Sequence, residues 1–159
     1  MEKDQNLLTE NAIKYILSKL NTGSGGRTKL MKLMFLVDQY DTKEKKIKLK
    51  GNIGNKFIIY NYGVFSFDVY DVLIKLIKRG EIKENDSKLT VNSDINEAEK
   101  ILGSDLVGKI NEIVVEFGSL DRKQIDMKTI ELIGIPYKNK PSFLGVPVEK
   151  ILMNSSNQS

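Results

Sequence analysis

The stretch from Arg27 to Tyr40 constrains the fold most, because it predicts a helix that is apolar on nearly every side. A helix with so little polar surface needs neighbours all round it. We therefore predict that this helix lies at the centre of the domain. Lys29 and Lys32 interrupt the apolar pattern and predict the one edge of the helix that faces solvent. The apolar side chains are Leu30, Met31, Leu33, Met34, Phe35, Leu36 and Val37.

A strand, a Tyr-Gly turn and a second helix follow this central helix. Residues 57–63 read FIIYNYG, which predicts a strand that ends in a turn. Ser66 stands at the N-cap position of an amphipathic helix, and Gly80 stands at its C′ position. This order of elements is the most specific pattern in the chain, and the functional hypotheses depend on it.

Aromatic residues cluster around the glycine of the turn. Such a cluster is typical of a surface that stacks on bases or binds a protein partner. It is also typical of a strand-to-helix corner that needs aromatic bulk to fill it. We assign Phe57, Phe67 and Tyr70 to packing and keep Tyr62 and Phe65 as candidates for binding. The cluster comprises Tyr60, Tyr62, Phe65, Phe67 and Tyr70.

The other segments predict further helices and one more strand. Residues 7–20 predict a first helix with Thr9 as its N-cap, and the glycine-rich residues 21–26 predict a linker. Residues 88–92 predict a strand, which together with the preceding helix is similar to the end of a winged helix. Ser93 or Asp94 can cap the next helix. The later helical patterns cover 94–102, 105–117 and 121–133, with a break at Gly103.

These elements predict an α+β fold that is mostly α-helical, with helices around a small antiparallel β-hairpin or sheet and a winged-helix-like core. Residues 1–135 predict a single globular domain. Prolines at 136, 141 and 147 interrupt regular structure after that point. Residues 136–159 therefore predict a C-terminal tail that packs in part and is disordered from Asn154 onward.

A lysine-rich segment between the central helix and the strand carries the highest local charge. Residues 46–50 alternate polar and apolar side chains, so we predict a β-hairpin over 46–61 with a basic outer face. Such a ribbon can contact the phosphates of duplex DNA. Lysines on an exposed edge strand also prevent edge-to-edge pairing, and this explanation stays open. The candidate nucleic-acid-binding residues are Lys43, Lys45, Lys46, Lys48, Lys50, Lys56, Lys75, Lys78 and Arg79.

The chain has neither cysteine nor histidine, which removes thiolate nucleophiles, zinc fingers and imidazole bases. The carboxylate pairs Asp38/Asp41 and Asp68/Asp71 could together hold magnesium. We instead expect Asp68 and Asp71 to stabilise the start of their helix, and Asp38 and Asp41 to mark the solvent-exposed end of the central helix. We predict no catalytic residue, no metal and no cofactor, and therefore a protein that is not an enzyme. The net charge of +4 allows an acidic partner without requiring one.

The chain shows no run near the roughly 20 apolar residues of a membrane span. Its first residues are too polar for a signal peptide. We therefore expect a cytoplasmic protein without a membrane partner. The oligomeric state is open, and a homodimer is one option.

Three segments resemble motifs of the Panacea domain, the SocA-like antitoxin domain. Residues 28–38 (TKLMKLMFLVD) are similar to its (T)KLxKLLYFAD helix, and residues 57–70 (FIIYNYGVFSFDVY) to its F-x-x-x-x-YGPxS-x-x-x-Y turn and helix. Residues 112–120 (EIVVEFGSL) resemble its later V-x-x-x-YG-x-LS element. One departure is Val64, which stands where the family has proline. The same pattern is similar to YwgA-like proteins and to archaeal winged-helix regulators.

The resemblance implies a mostly helical domain that neutralises a cognate toxin by direct binding, as part of a toxin–antitoxin system. The alternative hypothesis is a winged-helix regulator that binds duplex DNA through its basic ribbon. The two roles are compatible in one protein. For the first role, the predicted partner-binding residues are Lys29, Lys32, Tyr62, Gly63 and Phe65.

Overall fold

The computed structural model describes residues 2–20, 26–92 and 94–158. The predicted linker therefore lies mostly outside the described residues, as does Ser93. The elements are α1 (Glu2–Lys19), α2 (Gly26–Gln39), β1 (Tyr40–Asp41), β2 (Lys46–Ile47), β3 (Ile58–Tyr60), β4 (Gly63–Phe65), α3 (Phe67–Lys78), β5 (Ile82–Asn85), β6 (Lys88–Val91), α4 (Asn96–Phe117), α5 (Arg122–Ile133), a 3₁₀ helix (Tyr137–Phe143) and α6 (Val148–Gln158).

Helix α2 lies at the centre of the domain, as its apolar sequence predicts. It packs against α1, α3, α4 and α5. Every residue from Lys29 to Gln39 is buried. The two lysines share this burial, so the prediction that Lys29 and Lys32 mark a solvent-facing edge is wrong. Their side chains reach polar groups on other elements, which are described below.

The predicted α+β class is confirmed, with helices around small antiparallel sheets. The described residues contain three separate two-stranded pairs, β1–β2, β3–β4 and β5–β6. The β5–β6 hairpin follows α3, and Arg27 ties it to α2 through paired hydrogen bonds of 2.6 Å to Glu84. Each pair has one strand that packs against α2.

The predicted basic hairpin over 46–61 is wrong. Strand β2 pairs with the preceding β1, and β3 pairs with the following β4. The first pairing is local because Asp41 accepts hydrogen bonds from the backbone N–H groups of Lys43 and Glu44 at 2.8 and 2.9 Å. This closes a tight turn just after α2 and leaves the intervening segment to fold separately.

That intervening segment wraps around the buried carboxylate of Asp38. Asp38 accepts hydrogen bonds from the backbone N–H groups of Ile53 and Asn55 at 2.8 and 2.9 Å. Burial raises the pKa of Asp38, while these donors oppose the rise. Asp38 therefore organises the loop that follows β2. Its spacing had predicted a place at the solvent-exposed end of α2, and that prediction is wrong.

The predicted caps of α3 are confirmed. Ser66 Oγ accepts a hydrogen bond from the N–H of Val69 at 3.3 Å. At the other end, Gly80 has a φ of 78° and its N–H donates to Ile77 O. Because both signals are local in sequence, this helix could be predicted almost to the residue.

Helix α4 contains the predicted break. Gly103 has φ 82° and ψ 162°, which are not helical values, and the chain is helical on both sides of it. The N-cap residue of α4 is Ile95, so the prediction of Asp94 as the cap is wrong, although Asp94 Oδ1 accepts a hydrogen bond from the N–H of Asn96 at 3.0 Å. Helix α5 begins with a capping box between Asp121 and Gln124.

Helix α1 begins earlier than its pattern predicted. Thr9 is fully buried within the helix, and its hydroxyl accepts a hydrogen bond from Asn55 Nδ2 at 2.9 Å. The prediction of Thr9 as an N-cap is therefore wrong. The residue instead connects α1 to the loop around Asp38.

The proline-containing C-terminal segment packs on the domain. The N–H groups of Ile59 and Gly145 donate to Val146 O and Ile59 O at 3.0 and 2.7 Å, so residues 145–148 run along the free edge of β3. Val148 is fully buried. Helix α6 continues to Gln158, through the part of the chain whose composition predicted disorder.

Candidate functional site

The Tyr-Gly turn forms a tight corner between β3, β4 and α3. Asn61 and Tyr62 form a two-residue loop, because Tyr60 pairs directly with Gly63. The segment 145–148 supports β3 from its other edge, and the Ser66 cap fixes the start of α3. The corner is therefore held on both sides by hydrogen-bonded backbone.

Five aromatic side chains of this corner make up what we call the aromatic surface: Tyr60, Tyr62, Phe65, Phe67 and Tyr70. Four of these rings, all except Tyr62, pack against one another. The Phe65 ring is central, with centroids 5.4 Å from Tyr60, 5.0 Å from Phe67 and 5.7 Å from Tyr70. Tyr62 is 75% exposed, Phe67 57% and Tyr60 42%. Phe67, which we assigned to packing in this corner, does pack edge-on against Phe65 but leaves more than half of its surface exposed, whereas Phe57 is buried as expected.

A small pocket of about 200 Å³ opens beside the aromatic surface. Side chains of α2 form one wall, and the Tyr-Gly turn and α3 form the other. Most of the lining is apolar, so the pocket suits an apolar group. The lining residues are Arg27, Thr28, Met31, Lys32, Tyr60, Tyr62, Gly63, Val64, Phe65 and Tyr70.

Lys32 is the most deeply buried polar residue of this lining, with 2% of its surface exposed. Its Nζ donates a hydrogen bond to the backbone carbonyl of Tyr62. Burial lowers the pKa of Lys32 to about 8. The attraction of Asp126 opposes this shift of the pKa, and the repulsion of Lys140 adds to it. The lysine therefore links the central helix to the tip of the turn.

Asp126, Tyr137 and Lys140 form a polar cluster beneath the turn. Asp126 Oδ2 accepts hydrogen bonds from the Tyr137 hydroxyl and from Lys140 Nζ, both at 2.8 Å. The bond to the carboxylate raises the pKa of Tyr137. Asp126 Oδ1 is buried and has no hydrogen-bond partner among the described residues. We call Lys32, Asp126, Tyr137 and Lys140 the buried polar cluster.

Gly63 lies directly over this cluster. Its φ is +100°, a region that side chains rarely adopt. A Cβ at this position would overlap Asp126 Oδ1 and lie 2.7 Å from Lys32 Cε. Glycine is thus required both by backbone conformation and by the close approach of the turn to the two charged side chains.

Lys29 is separate from the pocket, although it was predicted to share a binding surface with Lys32. Its Nζ donates to the backbone carbonyl of Gly118, where α4 ends. Burial lowers the pKa of Lys29, and Asp121 partly offsets that effect. The structure therefore brings together Lys32, Tyr62, Gly63 and Phe65, and places Lys29 in the core at another helix end.

The candidate nucleic-acid-binding lysines after α2 are largely exposed, but several are paired with acids. Lys45 bonds to Glu116 at 3.0 Å, and Lys46 and Lys48 approach Glu44. Within the ranges that the structure describes, three residues of this segment form no salt bridge: Lys43, Lys50 and Lys56.

The basic end of α3 is divided in the same way. Lys75 and Lys78 are exposed, and they form no salt bridge with any described residue. Arg79 bonds to Glu10 on α1 at 2.5 Å and to Glu81 at 2.7 Å. The basic groups near 45 and near 79 thus attach to different helices, α4 and α1.

The described residues contain no group of three or more acidic side chains placed to hold a metal ion. Among the described helices, none combines the length and apolarity needed to cross a membrane. No family model, curated protein or solved structure matches the chain. The resemblance to the Panacea domain therefore stays a prediction from three sequence motifs.

Three residues of the buried polar cluster were missed by the sequence interpretation. Asp126 carries the clearest signal, since it precedes Ile130 and Ile133 by four and seven positions and so lies on the buried face of α5. An acid at such a position predicts a buried partner. Tyr137 and Lys140 carry no comparable signal, because they come from an irregular segment around Pro136 and Pro141.

Proposed function

We propose that this protein is a non-enzymatic binding module that recognises a partner protein through the aromatic surface. Support comes from one observation: Tyr60, Tyr62 and Phe67 are exposed together on a corner that backbone hydrogen bonds hold in place. Exposed aromatic clusters supply much of the binding energy in protein interfaces. The role is that of an antitoxin-like protein, with a toxin as the cognate partner and the cytoplasm as the location.

A rigid corner favours this role for a physical reason. Rings that are already ordered lose little conformational entropy when a partner covers them. Phe65 packs between Tyr60, Phe67 and Tyr70, so these four rings of the surface are preformed. The pocket next to it offers room for one inserted side chain.

Co-expression tests this role directly. A small open reading frame beside the gene is expressed alone and together with this protein, and growth is measured. We expect growth to be restored by the native protein and lost again with the double change Tyr62→Ala and Phe67→Ala.

The matched control is Val115→Ala, since Val115 is 84% exposed but lies on α4 and is not part of the pocket lining. Rescue that survives the double change, or that fails equally with Val115→Ala, contradicts the proposed surface.

DNA binding is the second candidate, and the unpaired lysines favour it. Lys43, Lys50, Lys56, Lys75 and Lys78 are exposed and form no salt bridge within the described part of the chain. Each lysine that contacts a phosphate steepens the dependence of log K on log salt by about 0.9. Binding of duplex DNA should therefore weaken steeply with salt, and Lys43→Gln with Lys50→Gln should flatten that slope.

The paired Lys46 provides the comparison for this test, because Lys46→Gln removes a lysine that already has an acidic neighbour. Absence of any binding at low salt would exclude the DNA-binding role.

A further inference from the structure

Lys32 has unused hydrogen-bonding capacity. An ammonium group carries three N–H donors. Among the described residues, Lys32 Nζ donates to the Tyr62 carbonyl alone and forms no salt bridge. Two donors of a side chain with 2% exposure are thus without a partner. A buried cation in that condition is costly, and an incoming anion would relieve the cost.

The charges around Lys32 also leave room for an anion. The buried polar cluster contains two lysines, Lys32 and Lys140, and one carboxylate, Asp126. Asp126 is bonded to Lys140 at 2.8 Å. Arg27, the other cation of the pocket lining, is paired with Glu84. Asp126 Oδ1 has no hydrogen-bond partner among the described residues, and Asp126 attracts Lys32 without forming a salt bridge with it. Two ammonium groups thus share one carboxylate, and the cluster carries an excess positive charge.

The pocket shape selects the kind of anion. Its wall is mostly apolar and its volume is about 200 Å³, with Lys32 as its least exposed polar residue. A ligand that fits must carry its negative charge at the leading end of a short apolar stem. Around the opening, the exposed rings of Tyr60 and Tyr62 are free to contact whatever flanks the inserted group.

From these contacts we propose that the pocket receives the side chain of a glutamate from the partner protein, with Lys32 binding its carboxylate. The inference rests on the proposed function and names the chemistry by which the aromatic surface recognises its partner. Two methylenes separate the carboxylate of glutamate from the main chain, so its polar backbone stays outside the apolar pocket. The carboxylate at the end of a polypeptide lies next to the last peptide group. That peptide group would have to enter the apolar pocket and be buried without hydrogen bonds.

Blocked peptides test this proposal without knowledge of the partner. The probes are acetyl-Leu-Glu-Leu-amide, the same peptide with glutamine in place of glutamate, and acetyl-Leu-Leu with a free carboxyl end. Binding is followed by amide chemical shifts of the full-length ¹⁵N-labelled protein. We expect the glutamate peptide to shift the amides of Tyr62–Phe65 and to bind at least about tenfold more tightly than the other two, because only it forms a charge-assisted bond inside the pocket.

Two lysine variants complete the experiment. Lys32→Met should abolish the preference for glutamate over glutamine, whereas Lys29→Met, on the same helix but outside the pocket, should keep it. Equal binding of the glutamate and glutamine peptides, tighter binding of the free-carboxyl peptide, or no shift at Tyr62–Phe65 each overturns the proposal. The three peptide measurements use only the native protein, so they test the proposal even where Lys32→Met does not fold.

Failure of this inference can be told apart from failure of the proposed function. If Lys32→Met still rescues growth while Tyr62→Ala with Phe67→Ala does not, the aromatic surface stands and the glutamate contact is wrong. If neither change affects rescue, the proposed surface itself is wrong.

Discussion

Gly63 and Lys32 show how single residues couple the turn to the core. Lys32 donates to the carbonyl of Tyr62, and Gly63 lies against both Lys32 and Asp126. The tip of the turn is thereby anchored to α2 and α5 at once. Small changes beneath the turn should therefore alter the stability of the protein strongly.

Replacing Gly63 with alanine should destabilise the protein by about 3 kcal/mol, from left-handed backbone strain and overlap with Asp126 and Lys32. Gly80→Ala is the matched control, since Gly80 has φ +78° but nothing within 4 Å of the added carbon. It should cost only about 1 kcal/mol of strain. Urea unfolding of both variants measures the difference, and equal costs would argue against a tight contact at Gly63.

The pKa of Lys32 predicts a pH-dependent contribution to stability. Its folded pKa of about 8 lies below its ordinary value of 10.5, so between these pH values the unfolded chain binds more protons. Stability of the native protein should therefore rise with pH in that window. Relative to Lys32→Met, the gain should be about 1.4 kcal/mol per pH unit, and groups common to both proteins cancel in the difference.

Urea unfolding of the native protein and of Lys32→Met at pH 7, 8, 9 and 10 measures this effect. A difference in the free energy of unfolding that does not change with pH would mean that Lys32 is not held in a desolvated site between Asp126 and Lys140.

Local sequence signals were reliable for α3 but not for the start of α1, where the predicted N-cap Thr9 lies inside the helix. The two caps of α3 each join residues a few positions apart. The strand pairing failed because it depends on which neighbour a short strand meets. Asp41 closes the turn to β2, and segment 145–148 takes the free edge of β3. Neither event leaves a periodic pattern.

The two glycines of α4 should respond to alanine in opposite directions. Gly103 has φ 82° and ψ 162°, where alanine is strained, so Gly103→Ala should destabilise by about 2 kcal/mol despite open space around it. Gly108 lies in the helical part, also with open space, so Gly108→Ala should stabilise by about 0.5–1 kcal/mol. Thermal unfolding of both variants checks the prediction, and a shift of the same sign in both would rule out a backbone-imposed break.

For the whole molecule, the apolar pattern of α2 was enough to predict a central helix within a mostly helical fold. The predicted solvent exposure of the two lysines of that helix was wrong, because charged side chains are expected at the surface. Lys29 and Lys32 are buried since their ammonium groups reach the carbonyls of Gly118 and Tyr62, which lie far away in sequence. The candidate site was thus predicted in part: the turn from its motif, but neither the exposure of Phe67 nor the carboxylate of Asp126.

The proposed function requires that the aromatic surface binds another protein in the cell. Site-specific photo-crosslinking in the native cell tests this requirement. The photoreactive residue p-benzoylphenylalanine replaces Tyr62 in the test protein, and it replaces Val115 or Lys46 in two control proteins. We expect one protein adduct after irradiation from position 62 and none from position 115, with the same protein identified by mass spectrometry in repeated samples. Equal adducts from positions 62 and 115, or an adduct from position 46 alone, would contradict it.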